Sequence, residues 1–410
     1  MTTIQSLKER FLNYVKTYSQ SSSGNADNGI IPSTPQQWDI AKIICRELEN
    51  LGLENVQTTE NCYTYGYLKA TPGFENTPSF CLLAHIDTVE EVSGKNVEPL
   101  VFEHYDGKPV TLPAGIILNP EEDKALSLAG KNGETIITSS GSTLLGADDK
   151  AGVAEIITCI EYLVNHPKEA HGPVEVCFSP DEETGHGMDK VPLNLIKSKF
   201  AYTVDGGHIG ELETECFNAY KSEIFFTGKS KHTGTARPDM VNAVTMASHF
   251  LQNLPANERP ETTDGYQGFY APMNVSGSIE NAQVTLFLRD FSEEGMKKRI
   301  QLVENLAALT AQTTGGKCKV KHTQQYLNMK NELDKNPCVT EKLLKAYKKA
   351  GVEPVFTPIR GGTDGSRLTE MGIPAPNIFT GGHNFHSLYE WASLDQMYKT
   401  VQILIELSKV

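Results

Sequence analysis

The stretch PSFCLLAHIDT, residues 78–88, is a compact apolar run that ends in a histidine and an aspartate. Two later stretches share this design, PVEVCFSPDEE at 173–183 and KFAYTVDGG at 199–207. A helix-like segment, AGVAEIITCIEYLVNH at 151–166, separates the first two. Buried strands alternating with helices predict an α/β sheet, whose ligands lie beyond the carboxyl ends of its strands. We therefore expect three strands to bring acids or a histidine to one edge of the sheet.

The pattern changes in the middle of the chain. From about residue 213 the order is strand, helix, strand, strand, helix, strand, which is typical of a small α/β sandwich of the β-α-β-β-α-β type. The α/β alternation then resumes to residue 410. We predict an α/β protein with a mixed-sheet domain at 1–212 and 327–410, and a smaller sandwich inserted at 213–326. Two domains are also the default for a chain of this length.

Composition and charge exclude several classes of partner. The chain has 37 lysines and arginines against 51 acids, and a net charge of -14 disfavours nucleic acid or an anionic membrane. No apolar run approaches the roughly 18 residues of a membrane span, and the N-terminal segment reads as an amphipathic helix, not a signal peptide. The eight cysteines lie far apart, and Cys81 and Cys177 sit in apolar runs. These features predict a soluble cytoplasmic protein that binds neither nucleic acid nor a membrane.

The segment TLLGADDKAGVAEI, residues 143–156, places two aspartates side by side before a helix. In one interpretation Asp148 caps the helix and Asp149 favours its positive end. In the other, the two acids belong to a metal site, where a cation offsets their repulsion. The segment alone does not decide between these two interpretations.

Further acids and histidines are expected at the same edge of the sheet. Carboxylates and imidazoles in such a cluster suit two hard-to-borderline cations such as zinc. Each of these motifs alone is weak evidence for a metal site. A His-x-Asp pair is usually a local hydrogen bond, and a pair of glutamates is usually a solvated strand end. On a strand, Asp87 would share a face with His85 and could hold its second ring nitrogen. The residues concerned are His85, Asp87, Asp148, Asp149, Glu182, Glu183, Asp205 and His386.

Several runs in this order resemble the dinuclear zinc peptidase family, which also contains carboxypeptidases and amino-acid deacylases. The runs are AHIDT, SGKNV, LLGADDKAG, PDEETGHG, YTVDGG, IRGGTDGSRL and NIFTGG, and the resemblance covers nearly the whole chain. The long segment between Asp87 and Asp148 resembles the tripeptide aminopeptidases of that family and not its shorter members.

The resemblance implies a zinc-binding catalytic domain with two zinc ions per chain. Asp148 would bridge both ions, His85 and Asp205 would complete one site, and Glu183 and His386 would complete the other. Glu182 would be the general base, and Asp87 would orient the His85 imidazole. A bridging carboxylate lowers the repulsion between two cations, which explains the paired aspartates.

The inserted domain is expected to act as a lid and to recognise substrate. The resemblance implies that His232, in HTGTARPDMVNA, polarises the scissile carbonyl, although Thr233 stands where the family has proline. Arg289 at a strand end suits capture of a peptide carboxylate, and its alternative is an ion pair with Asp290 or a nearby acid. Arg360 lies in RGGTDG, whose glycines permit close approach of backbone to a ligand.

The activity that the resemblance implies is removal of the N-terminal residue from tripeptides. A deacylase of N-acyl amino acids on the same metal core is the alternative, and a non-catalytic α/β binding protein is a third hypothesis. The expected partner is a small peptide substrate, and a homodimer is possible.

Overall fold

The computed structural model describes residues 2–410, which divide into two compact units. The first unit runs up to Thr214 and continues with Asn331–Thr357 and Thr363–Val410, and the second comprises Glu215–Lys330 and Pro358–Gly362. Segment 358–362 thus lies with the second unit, whereas the sequence analysis placed it in the larger domain. This segment belongs to the second unit because Ile359 forms a β-bridge with Cys216 of that unit.

The chain up to Thr214 alternates helices and strands. Its helices are α1 (Thr3–Val15), α2 (Ser23–Ala26), α3 (Gln37–Asn50), α4 (Lys124–Asn132) and α5 (Ala147–Asn165). Its strands are β1 (Glu54–Thr58), β2 (Thr64–Leu68), β3 (Phe80–His85), β4 (Leu100–Phe102), β5 (Val110–Thr111), β6 (Ile117–Leu118), β7 (Ile136–Thr138), β8 (Val174–Ser179), β9 (Ala201–Gly206) and β10 (Glu211–Glu213).

The remaining elements begin with those of the second unit. These are β11 (Asn218–Thr227), α6 (Ala243–Gln252), β12 (Phe269–Gly277), β13 (Asn281–Asp290), α7 (Glu293–Thr314) and β14 (Lys317–Tyr326). The chain then forms α8 (Lys330–Lys335), α9 (Pro337–Ala350), β15 (Val355–Phe356), α10 (Asp364–Glu370), β16 (Asn377–Phe379), β17 (Gly382–His383), β18 (Trp391–Ser393) and α11 (Leu394–Ser408).

The main sheet of the first unit is mixed, as the sequence predicts. Its strand order is β1-β2-β8-β3-β9-β16-β10-β15. The neighbouring strands β8, β3, β9 and β16 run parallel, while β1 and β2 pair antiparallel at one side. Because the central strands are parallel, their carboxyl ends meet at one edge, and that edge carries the candidate site.

Both faces of the central strands are covered, which explains their continuous apolar sequences. Every residue of β3 and of β8 is buried. On one face α5 packs against β3 and β9, with α1 and α11 beside it. On the other face the strands contribute to a buried cluster that includes Tyr63, Leu83, Cys177, Met188 and Leu368.

The second unit confirms the predicted β-α-β-β-α-β order. Its antiparallel sheet has the order β12-β13-β11-β14. Alternate residues of β13, including Val284, Leu286 and Leu288, pack in a core with Met246 and Phe250 of α6. This alternation follows from the two-residue repeat of a strand and sends the intervening side chains to the opposite face.

Two further observations concern membrane and redox properties. None of the helices within residues 2–410 is both long enough and apolar enough to cross a bilayer. All eight cysteines are free thiols.

Candidate metal centre

The edge of the main sheet brings together two groups of metal-ligating side chains. One group is His85, Asp148 and Asp205, and the other is Asp148, Glu183 and His386. Within each group the potential ligand atoms all lie within 4.8 Å of one another. Asp148 belongs to both groups, so the structure places the five predicted ligands in one cluster of the first unit.

The two carboxylate oxygens of Asp148 face different imidazoles. Its Oδ1 lies 2.8 Å from His85 Nε2, and its Oδ2 lies 3.1 Å from His386 Nε2. The same nitrogens approach the other acids, with His85 Nε2 3.6 Å from Asp205 Oδ1 and His386 Nε2 3.0 Å from Glu183 Oε2. This is the arrangement in which one carboxylate can serve two cations.

Asp149, and not Asp148, caps the helix that follows. Asp149 Oδ1 accepts the backbone N–H of Gly152 at 3.1 Å, three residues on, as an N-cap does. Its Oδ2 accepts the N–H of His85 at 3.1 Å. Asp148 has non-helical backbone angles, φ -84° and ψ 105°, which direct its carboxylate to the imidazoles. The capping interpretation of Asp148 is therefore wrong, and Asp149 joins the helix to the end of β3.

Asp87 contacts His85, although the two residues do not share a strand face. Strand β3 ends at His85, so the expectation that the two residues share a strand face is wrong. The Asp87 Oδ1 nevertheless lies 3.3 Å from His85 Nδ1, and the Asp87 carbonyl oxygen lies 3.1 Å from the same atom. The Asp87 carboxylate also accepts the N–H groups of Glu182 at 3.0 Å and Glu183 at 3.2 Å. It thus connects an imidazole with the turn that carries both glutamates.

Asp181 anchors that turn from its other side, and no motif in the sequence predicts this role. Its Oδ2 accepts the N–H of Ser33 at 2.7 Å, and its Oδ1 accepts from Gln37 Nε2 at 2.6 Å. Asp181 has φ 59°, in the left-handed region that is costly for a residue with a β-carbon. These contacts hold the chain in the conformation that presents Glu182 and Glu183.

Glu390 is a second residue that sequence reasoning missed. Its buried carboxylate accepts the backbone N–H groups of four consecutive residues, at 2.7 Å from Leu145, 2.9 Å from Gly146, 2.7 Å from Ala147 and 3.3 Å from Asp148. The contact spans up to 245 residues of sequence, and the surrounding LYEWAS carries no motif. Glu390 fixes the loop that delivers Asp148.

The His386 loop also uses a left-handed backbone. His386 has φ 58° and Asn384 has φ 55°. Asparagine tolerates this region better than histidine does, and such residues are common at functional sites. His383, three residues earlier, is a packing residue that stacks on Trp391, with ring centroids 4.0 Å apart.

Crowding of carboxylates in a buried site governs their protonation. Burial, with repulsion from Asp148, raises the pKa of Glu183 to about 8. Burial is also the largest cause that raises the pKa of Asp205 to about 6 and that of Glu182 well above its usual range. Hydrogen bonds to Asp148 and Glu183 raise the pKa of His386 to about 11. With these carboxyl groups ionised, the cluster would carry more negative charge than its buried surroundings stabilise, and a bound cation would offset that charge.

The donor set fits a metal ion. Among residues 2–410, the Oε1 atom of Glu183 is buried without a hydrogen-bond partner, which is costly unless a ligand satisfies it. Imidazole nitrogens and carboxylate oxygens are ligands that zinc accepts. The residues present are thus suited to hold metal in both groups.

The three predicted substrate-binding residues lie in the second unit. His232 is exposed, and its Nδ1 accepts the N–H of Gly234 at 3.1 Å at the start of a short 3₁₀ turn. Arg360 donates from Nη1 to the carbonyls of Gly265 at 2.7 Å and Gln267 at 2.9 Å, and its guanidinium stacks near Phe217. Arg360 therefore holds a loop of its own unit, and its role in substrate binding stays a prediction.

Arg289 is buried but has no acidic partner among the described residues. Its Nη1 donates to Gln325 Oε1 at 3.0 Å, and its guanidinium lies over the ring of Phe287. The alternative, an ion pair with Asp290 or a nearby acid, is wrong. Asp290 pairs with Arg299 at 2.8 Å, and the side-chain hydrogen bonds of Arg289 go to carbonyl and amide oxygens. A buried guanidinium without a carboxylate is suited to bind an external anion.

The sheet and its edge define a class of protein, an α/β protein with a candidate dinuclear metal centre. The model of peptidase family M20/M25/M40 matches residues 145–409. Peptidase T of Geobacillus thermodenitrificans is 43% identical over 409 residues, covering 99% of this chain and 98% of the relative. Peptidase T of Clostridium perfringens is 42% identical over 408 residues and 99% of both chains. The chain belongs to peptidase family M20/M25/M40.

Solved structures show the same fold at lower identity. Aminopeptidase PepT of Bacillus cereus matches with a TM-score of 0.76 and 21% identity, covering 99% of this chain and 98% of that one. The YXEP protein of Bacillus subtilis, described as a dinuclear metal binding peptidase, matches with a TM-score of 0.67 and 16% identity, covering 99% and 97%.

Proposed function

We propose that the chain is a metal-dependent tripeptide aminopeptidase. The observation that carries this proposal is the shared Asp148, which joins two ligand groups in a geometry suited to two-metal hydrolysis. Full-length similarity to proteins named Peptidase T supports the substrate class. The chemistry is hydrolysis of the first peptide bond, which releases the N-terminal residue.

The proposed cofactor is two zinc ions. His85 and Asp205 would hold one ion, Glu183 and His386 would hold the other, and Asp148 would contact both. When bound, such ions polarise a carbonyl and lower the pKa of water toward about 7. The chain itself contributes the orientation of these ligands, since Asp87 faces His85 Nδ1 and Glu390 holds the Asp148 loop.

Glu182 is the proposed general base. It neighbours the ligand Glu183, and its N–H is held by Asp87. Burial raises the pKa of the Glu182 carboxyl, and a raised pKa suits a group that accepts a proton from water and then returns it to the leaving amine.

The second unit is the proposed recognition domain. Arg289 would bind the C-terminal carboxylate of a small peptide, because its buried guanidinium has no carboxylate partner within residues 2–410. His232 would contact the scissile carbonyl, and its exposure leaves the ring accessible. Arg360 would contribute through the loop that it holds. A homodimer and a cytoplasmic location stay predictions.

A substrate panel tests the proposed activity. Purified protein supplied with zinc is assayed on free tripeptides, dipeptides and N-acyl amino acids, and products are identified by mass spectrometry. We expect release of the N-terminal residue from tripeptides as the fastest reaction. Faster hydrolysis of N-acyl amino acids would establish the deacylase instead, and no hydrolysis of any substrate would favour a binding protein.

A further inference from the structure

A cavity of about 740 Å³ lies beside the loop that carries His386, within the first unit. Its lining includes Phe385 and Ser387, the two chain neighbours of His386. Residues 117–119 and 122–126, from β6 to the start of α4, also line it. The volume lies within the range of small-ligand sites, roughly 300–1,000 Å³. None of the residues assigned to catalysis or metal binding lines this cavity.

Hydrogen bonds to Asp123 connect the walls of the cavity. Asp123 Oδ2 accepts from Asn384 Nδ2 and from Trp391 Nε1, each at 2.9 Å, and its Oδ1 accepts the N–H of Leu126 at 3.0 Å. Asp123 therefore links the start of α4 with the loop that carries His386. A site built on linked elements keeps its shape and its position relative to the His386 loop.

The lining combines apolar walls with an acidic rim. Ile117 and Tyr389 are large apolar side chains that remain 51% and 49% exposed, and Phe385 joins them. Glu122 is exposed, with its Oε1 accepting from Asn119 Nδ2 at 3.0 Å. The lining also contains Asp123, Lys124 and His208, so carboxylates outnumber ammonium groups. Such a cavity favours apolar or cationic groups and repels anions.

We propose that this cavity binds the side chain of the substrate's N-terminal residue and selects apolar or basic residues over acidic ones. The inference rests on the proposed aminopeptidase function and specifies which peptides that activity prefers. The N-terminal end of the substrate fits the observations better than the C-terminal end, because a carboxylate would meet Glu122 and Asp123.

Peptide series with one variable position test the cavity. Leu-Gly-Gly, Lys-Gly-Gly, Glu-Gly-Gly and Gly-Gly-Gly vary the N-terminal residue, and Gly-Gly-Leu, Gly-Gly-Lys and Gly-Gly-Glu vary the C-terminal one. For each peptide, kcat/KM is measured with the zinc-loaded enzyme. We expect the wild type to prefer N-terminal leucine and lysine over glutamate.

Two variants of the lining should change this preference. Glu122→Lys should shift the Lys-Gly-Gly to Glu-Gly-Gly ratio of kcat/KM toward glutamate on the order of tenfold, since the rim charge is reversed. Glu122→Gln should shift it the same way by less. Tyr389→Ala should lower the Leu-Gly-Gly to Gly-Gly-Gly ratio several-fold through lost apolar contact. Glu121→Lys is the matched control, because this exposed neighbour does not line the cavity, and it should keep the wild-type ratios.

The outcomes separate the cavity from the activity. Wild-type ratios in both Glu122 variants and in Tyr389→Ala, with tripeptides still cleaved, would overturn the cavity's role and leave the activity standing. A shift confined to the series that varies the C-terminal residue would also overturn it. A wild-type enzyme inactive on every tripeptide would overturn the proposed function, and the cavity's role with it.

Discussion

Glu182 has the most exacting role in the proposed reaction, because it must accept and then return a proton. Glu182→Gln keeps the shape of the side chain but removes its basicity. Turnover of tripeptides should fall on the order of 10² to 10⁴ fold, as for loss of a general base. The metal content of the variant, measured by elemental analysis, should stay at the wild-type value. Loss of metal would instead make Glu182 a ligand.

Arg289 allows a test with a chemical partner on the substrate. Arg289→Ala and C-terminal amidation of the tripeptide remove opposite halves of the proposed pair. Each change alone should lower kcat/KM by roughly tenfold or more, since a charge-assisted pair is worth about 1.5–3 kcal/mol. Because the partners interact directly, combining the changes should cost little beyond the worse single change. Additive losses would assign the carboxylate to another residue, such as Arg360.

Individual residues also show which parts of the candidate site could not be predicted from the sequence. The sequence predicted a cluster of acids and imidazoles at one edge, because parallel strands end together. It could not separate Asp148 from Asp149, since the backbone turn that points one to the imidazoles and the other to the helix start is not encoded in residue type. Asp87 was placed on a strand that in fact ends two residues earlier, at His85.

At the scale of an element, the loop before α5 depends on a single distant carboxylate. Glu390 accepts N–H groups from residues 145–148. In Glu390→Gln, an amide NH₂ would face some of these donors, and the loop that positions Asp148 would lose its charge-assisted contacts. Metal affinity should fall by roughly 10- to 100-fold, as for other residues that orient ligands. Titration with zinc, followed by calorimetry, measures the affinity of the variant for zinc. Excess metal should restore its activity.

Glu175→Gln is a matched control for that prediction. Glu175 is as buried as Glu390, at 1% exposure, and accepts the backbone N–H groups of Lys197 and Ser198, each at 2.8 Å. It lies on β8 but holds a loop without metal ligands. The control should lose stability and keep its affinity for zinc. Equal loss of affinity in both variants would show that Glu390 acts only through general stability.

Elements were predicted more reliably than their connections. Runs such as FCLLAH and VEVCFS are apolar throughout because both faces of the sheet are covered, and this pattern can be read directly. The anchors Glu390 and Asp181 could not be found in this way. Each is an ordinary acid in sequence, and each works through backbone groups that are distant along the chain.

At the scale of the whole molecule, metal content is the first quantity to measure. Two ligand groups predict about two zinc ions per chain, with loss of activity under chelation and recovery on addition of zinc. Substitution of Asp148 by asparagine should weaken binding of both ions, whereas substitution of Asp205 should mainly weaken one. A chain that is fully active without bound metal would contradict the proposed mechanism.

The stability of the first unit should depend on pH through Glu213. Burial raises the pKa of Glu213 from 4.5 to about 8, and its carboxylate accepts from Asn377 Nδ2 at 2.6 Å. Between these values the folded chain retains a proton that the unfolded chain releases. This contribution to stability is therefore complete below about pH 4.5 and is lost as pH rises toward 8.

Glu213→Gln isolates that contribution. Relative to the variant, the wild type should lose free energy of unfolding between pH 5 and 8, by up to about 1.4 kcal/mol per pH unit. Denaturant unfolding of both proteins across this range measures the difference, and other groups cancel because they titrate in both. A constant difference between the two curves would show that Glu213 is ionised in the folded state.

The distance along the chain between the ligands has a consequence for biosynthesis. His85, Asp148 and Asp205 are all translated within the first half of the chain, whereas His386 contacts Asp148 across 238 residues. Chains are made from the N-terminus and begin to fold during synthesis. The ligands of the first group are thus present early on a ribosome-bound chain, but the loop that delivers Asp148 must wait for Glu390, and the second group must wait for His386. The metal centre therefore reaches its final form only when nearly the whole chain has been made.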